Sequence, residues 1–167
     1  MRRALTLILA LLAVNAATAG PTAFFNVNVI PMSDERVLPE QTVMVEDGVI
    51  TVIGPVDDVP LPDDAEIIDG TDRYLIPGLA EMHAHVPAAD APELQQYFAL
   101  FVANGVTTLR GMLGRPSHLA LREELLAGER FGPRLVTSGP SLNGRSVNGP
   151  ADGAQQVRDQ QAAGYVF

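Results

Sequence analysis

Leu75-Ile76-Pro77-Gly78-Leu79-Ala80-Glu81-Met82-His83-Ala84-His85-Val86 is the stretch on which the reading of this chain turns. A Pro-Gly turn leads into a short apolar run with two histidines two positions apart, followed by a loop bounded by Pro87 and Pro92. An extended strand places residues i, i+2 and i+4 on one face, so Glu81, His83 and His85 are expected to project together. Neutral imidazole ligates zinc and similar metals, and a carboxylate two positions earlier can ligate directly or hold a ring in place. The same spacing also describes an ordinary polar strand face, so the pair by itself leaves both readings open.

Downstream of Gly78 the periodicity alternates between strand and helix. Leu94, Tyr97, Phe98, Phe101 and Val102 recur at helical spacing within Pro92 to Asn104, and Gly105 supplies a stop. Val106 to Leu109 reads as the next strand. Ser117, a candidate N-cap, opens a second helix running to Ala127 with Gly128 behind it. Arg134 to Ser138 reads as a third strand. Asp152 and Gln155 resemble a capping box opening a third helix that ends at Gly164, and Tyr165-Val166-Phe167 is the expected start of a fourth strand. Strands and helices alternating at this spacing predict a parallel sheet built from βα units. His118, at the start of the second helix, is expected to be solvated. The loops Gly111 to Pro116 and Gly139 to Pro150 either line a site or only turn the chain. They carry no Gly-Lys-Ser/Thr, so phosphate binding of the P-loop kind is excluded.

Upstream, Ala23 to Ile30 reads as a buried strand. Thr42 to Glu46 and Val49 to Ile53 flank Asp47-Gly48, the signature of a two-residue hairpin. Gly54 to Asp64, rich in proline and aspartate, is expected to be a loop, and Ala65 to Asp69 a further short strand.

The first nineteen residues combine Met1-Arg2-Arg3, an apolar run from Ala4 to Val14, and Ala17-Thr18-Ala19 before Gly20. That is the grammar of a secretory signal peptide, and the apolar run falls short of the about 20 residues a membrane span needs. The expected destination is the periplasm or the extracellular space, with no membrane attachment after cleavage. Loss of the leader removes two arginines and no acid, taking the formal net charge from −9 to −11. An acidic surface disfavours nucleic acid and anionic membrane as partners. Cysteine is absent, which excludes disulfides and thiolate metal sites. All eleven basic residues are arginine, so lysine is absent too.

The run Tyr74 to His85 resembles the segment Pro-Gly-Leu/Phe-Ile-Asp-x-His-x-His with which the amidohydrolase superfamily enters its barrel. The hairpin Val43 to Ile53 is similar to part of that superfamily's small β-sandwich. Gly105 to Arg110 and Gly132 to Gly139 resemble the second and third barrel strands of its imidazolonepropionase-like and prolidase-like branch. The resemblance implies an α/β fold: a partial (β/α)8 TIM-type barrel of about three and a half βα units, preceded by part of a small β-sandwich. The expected organisation is a signal peptide at 1–19, the sandwich part at 20–74 and an incomplete hydrolase barrel at 75–167. A complete barrel of this class takes about 250 residues, whereas 148 remain after the leader.

Carried over residue by residue, the resemblance makes His83 and His85 the first-strand metal ligands and gives Glu81, standing where the superfamily usually has Asp, a supporting role behind them. It implies one or two divalent metal ions, zinc foremost, and hydrolysis of an amide, dipeptide or cyclic amide by metal-activated water. The later lysine, histidines and aspartate of the superfamily are not matched here. The expectation is therefore an N-terminal portion of an exported amidohydrolase that is inactive alone, acts with the rest of its barrel on a small-molecule or dipeptide substrate, and has a sheet edge through which it can oligomerise. The alternative is a non-catalytic α/β fragment or binding module with weak metal affinity.

Overall fold

The structure, a computed structural model, describes residues 20–167. The signal peptide expected at 1–19 lies outside the described residues. The described residues fall into two compact units, which divide between Pro77 and Gly78.

The described part of the first unit is a five-stranded sheet. Its strands are β1 (Thr22–Val29), β2 (Leu38–Glu46), β3 (Val49–Pro55), β4 (Glu66–Asp69) and β5 (Tyr74–Leu75). The order is β3-β2-β1-β4, with β5 also pairing β1. β1 and β2 are antiparallel, whereas β4 and β5 run parallel to successive parts of β1. Asp47 and Gly48 take φ of +49° and +76°, the left-handed pair that a type I′ hairpin requires. Val27, Val29 and Val43 form the small core. β2 begins four residues before the expected Thr42, and β5 is a pairing of two residues, too short to leave a periodic trace.

The second unit carries a three-stranded parallel sheet, β6 (Leu79–Ala84), β7 (Val106–Gly111) and β8 (Arg134–Thr137), in that order. The intervening helices are α1 (Leu94–Ala103) and α2 (Ser117–Leu126), and α3 (Pro150–Ala163) follows β8. Strand alternation buries Leu109 with Gly111 and Leu135 with Thr137. On α1, Leu94 and Phe98 fall on one stripe because they are one turn apart. They join Ala84, Val86, Leu109, Leu121 and Leu135 in a single apolar core.

Three local expectations are corrected. Ser117 is the first residue of α2, not its N-cap. Pro116 takes the cap position with a helical φ of −54°, and Ser117 Oγ instead accepts from the Ala89 N–H at 3.5 Å. α3 starts three residues earlier than the capping-box reading, with Gly149 at the cap and Pro150 in its first turn, where the missing N–H costs nothing. Asp152 then takes the Asn148 N–H at 2.8 Å and the Gln156 amide at 3.1 Å, and these bonds hold its carboxyl below the ordinary carboxylate range. Tyr165 to Phe167 is not a regular strand. Even so, Val166 N–H donates to Thr137 O and Gly139 N–H to Phe167 O, both at 3.2 Å, so the segment lies alongside the end of β8.

Candidate metal centre

The parallel ladders continue past the strand ends. Met112 N–H donates to Ala84 O at 2.7 Å and Ser138 N–H to Gly111 O at 2.9 Å, so the segments leaving β6, β7 and β8 start side by side. β6 is irregular where chemistry is expected. Its pairing with β7 shifts register between Glu81 and Ala84, so three residues on β6 span what two span on β7, and the strand ends at Ala84. This bulge breaks the even alternation expected of Glu81, His83 and His85. His85 stands one residue past the strand, flanked by the buried Ala84 and Val86.

The two histidines nonetheless come together. Their ring centroids are 5.2 Å apart with planes tilted by 41°. Both rings face a cavity of about 770 Å³, which is also lined by Met112, Ser138, Gln161 and Phe167. Imidazole nitrogens ligate a divalent metal at about 2.0–2.1 Å, so two rings at this spacing could share one ion. The pair therefore fits two positions of a divalent metal. Among the described residues no group of three or more His, Cys, Asp or Glu side chains could hold an ion. The chain thus offers two donors of a set that in catalytic sites usually numbers three.

No family model matches the chain. Over 44 residues it is 46% identical to the dihydroorotase of Mycobacterium tuberculosis, a match covering 26% of this chain and 10% of that protein. Over 76 residues it is 36% identical to the enamidase of Eubacterium barkeri, covering 44% and 20%. The crystal structure of a proposed prolidase from Bifidobacterium longum superposes with a TM-score of 0.73 at 25% identity, over 89% of this chain and 40% of that one. The chain resembles the amidohydrolase superfamily. It corresponds to the N-terminal portion of the superfamily's fold and spans well under half the length of these relatives. The expected α/β partial barrel is thereby borne out.

Around the pair, the chain arranges several groups whose placement the amino-acid sequence did not reveal. Glu81 Oε1 accepts the backbone N–H of His83 at 2.7 Å, so its carboxylate braces the main chain at the bulge. It also lies near Tyr97, whose hydroxyl is raised above its ordinary value first by burial and then by the Glu81 charge. Arg110, next to last in β7, donates to the Met82 carbonyl at 3.3 Å and places its guanidinium 3.9 Å from the Phe167 ring centroid. A cation over an aromatic face is attracted by the ring quadrupole. The available signal was a lone charge at the end of an apolar strand. The glycine-rich loops prove to line the site in part, since Gly139 to Leu142 border the cavity. Ser146 braces its own loop, accepting from the Asn143 N–H at 2.9 Å and donating to the Ser141 carbonyl at 3.1 Å.

His118 corrects the expectation of a solvated residue: it is 0% exposed, and its Nε2 lies 2.9 Å from the Pro87 carbonyl oxygen. Helix position alone could not show this, because the residue follows the helix start but its ring is buried against the segment after β6. Burial pushes the imidazole below its ordinary value of 6.5, the Pro87 bond opposes the shift, and the Arg115 charge reinforces it. A depressed folded value means that the unfolded chain takes up the proton first as pH falls. Stability is then complete above about pH 6.5 and declines from there as pH falls through the lower folded value. The expected result is a thermal midpoint that drops on mild acidification in the unchanged chain and drops less in His118→Gln. Parallel pH profiles of the two chains would refute it.

Proposed function

We propose that this chain supplies His83 and His85 as the first two metal ligands of an exported amidohydrolase that uses water to cleave an amide or related C–N bond in a dipeptide or cyclic amide. The observation that carries the reading is the 5.2 Å pairing of two imidazoles on the wall of a cavity of about 770 Å³. The likeness to a proposed prolidase and the matches to dihydroorotase and enamidase support the substrate class. A divalent metal, when bound, supplies Lewis acidity, lowering the pKa of water to about 7 and polarising a carbonyl.

The chain's own residues have three tasks. His83 and His85 each present a ring nitrogen to the ion. Glu81 holds the His83 backbone at the bulge. The apolar walls, which include Leu142 and Phe167, limit water around a bound substrate. A specific observation favours a second reading, a non-catalytic metal-binding module: the pair has no third donor among the described residues.

Calorimetric titration of the full chain with Zn2+ tests the ligand assignment. His83→Ala and His85→Ala are each expected to weaken binding at least about tenfold, since even groups behind the ligands are worth that much. Equal binding by all three chains would sink the assignment. For export, N-terminal sequencing of secreted protein should begin at Gly20, and a mature form that retains Met1 would contradict it.

A further inference from the structure

The segment that leaves His85 passes through Val86, Pro87, Ala88 and Ala89, and two bonds tie it to the first turn of α2. His118 Nε2 reaches the Pro87 carbonyl at 2.9 Å, and the Ala89 N–H donates to Ser117 Oγ at 3.5 Å. Val86 packs in the core with Leu121, which is one turn beyond His118 on the same helix. A carbonyl oxygen only accepts, so Nε2 carries the ring proton and Nδ1 remains an acceptor. That Nδ1 is buried without a partner.

A buried polar atom with no partner costs stability, and an apolar side chain at this position would avoid the cost. Local rules of this kind are most often broken where a functional requirement outweighs them. Here the one polar contact the ring makes is on the main chain two residues after His85. We propose that His118 is a positioning residue for the His83–His85 pair: by holding the Pro87 carbonyl, its Nε2–H fixes the backbone beyond His85 and with it the direction of the His85 ring. The inference rests on the reading of that pair as metal ligands.

The test compares the full chain with His118→Gln and His118→Met, which are close in size but differ in having an N–H to offer. Zn2+ affinity is read by calorimetry, and the visible absorption bands of bound Co2+ report the coordination geometry. His118→Met is expected to bind Zn2+ about tenfold more weakly, the lower end of what groups behind metal ligands contribute, and to shift the Co2+ bands. His118→Gln is expected to retain both the affinity and the spectrum of the unchanged chain. Equal binding by all three chains overturns the proposal. So does equal weakening in the two variants, because ring volume and not the N–H would then be responsible. If His118→Met does not fold, His118→Leu takes its place: it also lacks an N–H, is expected to weaken binding, and overturns the proposal if it does not. Failure of the underlying ligand reading is distinguishable, since it shows as unchanged Zn2+ binding in His83→Ala while His118 is intact.

Discussion

Phe98→Ala lowers the stability of the second unit by about 3–5 kcal/mol, the range for emptying a fully buried aromatic position. The Phe98 side chain is 0% exposed and belongs to the cluster with Leu94, Leu109, Leu121 and Leu135. Gly132 leaves room for the ring: a Cβ there would come within 2.7 Å of Phe98 Cδ2. With helix, sheet and loop meeting on one ring, the surroundings can collapse only partly, and the cavity term adds to the lost transfer free energy. Because the chain has two units, a single unfolding transition is not assured, and amide hydrogen exchange at Leu109 and Leu135 reads the second unit directly. Faster exchange at both amides is expected. Leu126→Ala, at a residue 59% exposed, serves as the control and should stay within about 0.5 kcal/mol of the unchanged chain. Similar protection in the two variants would show that the core is not built around Phe98.

Gly114→Ala destabilises the loops at the cavity by about 3 kcal/mol, the upper end of the usual overpacking cost, because the obstacle is backbone. A Cβ at Gly114 runs into the Ser138 carbonyl. The Gly114 N–H also donates to Ser138 Oγ at 3.0 Å, and that hydroxyl donates onward to the Gly139 carbonyl at 3.0 Å. The first of these bonds joins the loop after β7 to the loop after β8 beside the two histidines. Separating them to admit a methyl group breaks the Gly114–Ser138 bond and moves Ser138, which lines the cavity. The matched control is Gly144→Ala, since nothing lies within 4 Å of a Cβ there. Urea denaturation is expected to show a lower midpoint for Gly114→Ala alone, with faster amide exchange at Ser138 and Gly139. Equal midpoints in the two variants would mean that the close approach carries no energetic weight.

Much of the architecture was legible because it rests on local rules. Asp47-Gly48 announces its hairpin, since few other residue pairs tolerate two successive left-handed conformations at low cost. The stripe of Leu94, Phe98 and their neighbours announces α1, and Gly105, with φ of +77°, ends it. The short β5 was not legible, because two residues cannot establish a period. Nor was the capping of α2, where Pro116 and Ser117 compete for one role and the Ala89 N–H settles which of them the hydroxyl serves.

The candidate site divides along the same line. By itself the sequence determined the two imidazoles, their near-adjacency at a strand end and the parallel βα order around them, because ligand chemistry and periodicity are properties of residues and their spacing. Only the tertiary structure decided that a bulge breaks the alternation at Glu81, that Arg110 lies over Phe167, and that His118 is buried against Pro87. Each of these depends on contacts between segments distant in the chain, where packing chooses among conformations that local sequence leaves nearly equal in energy.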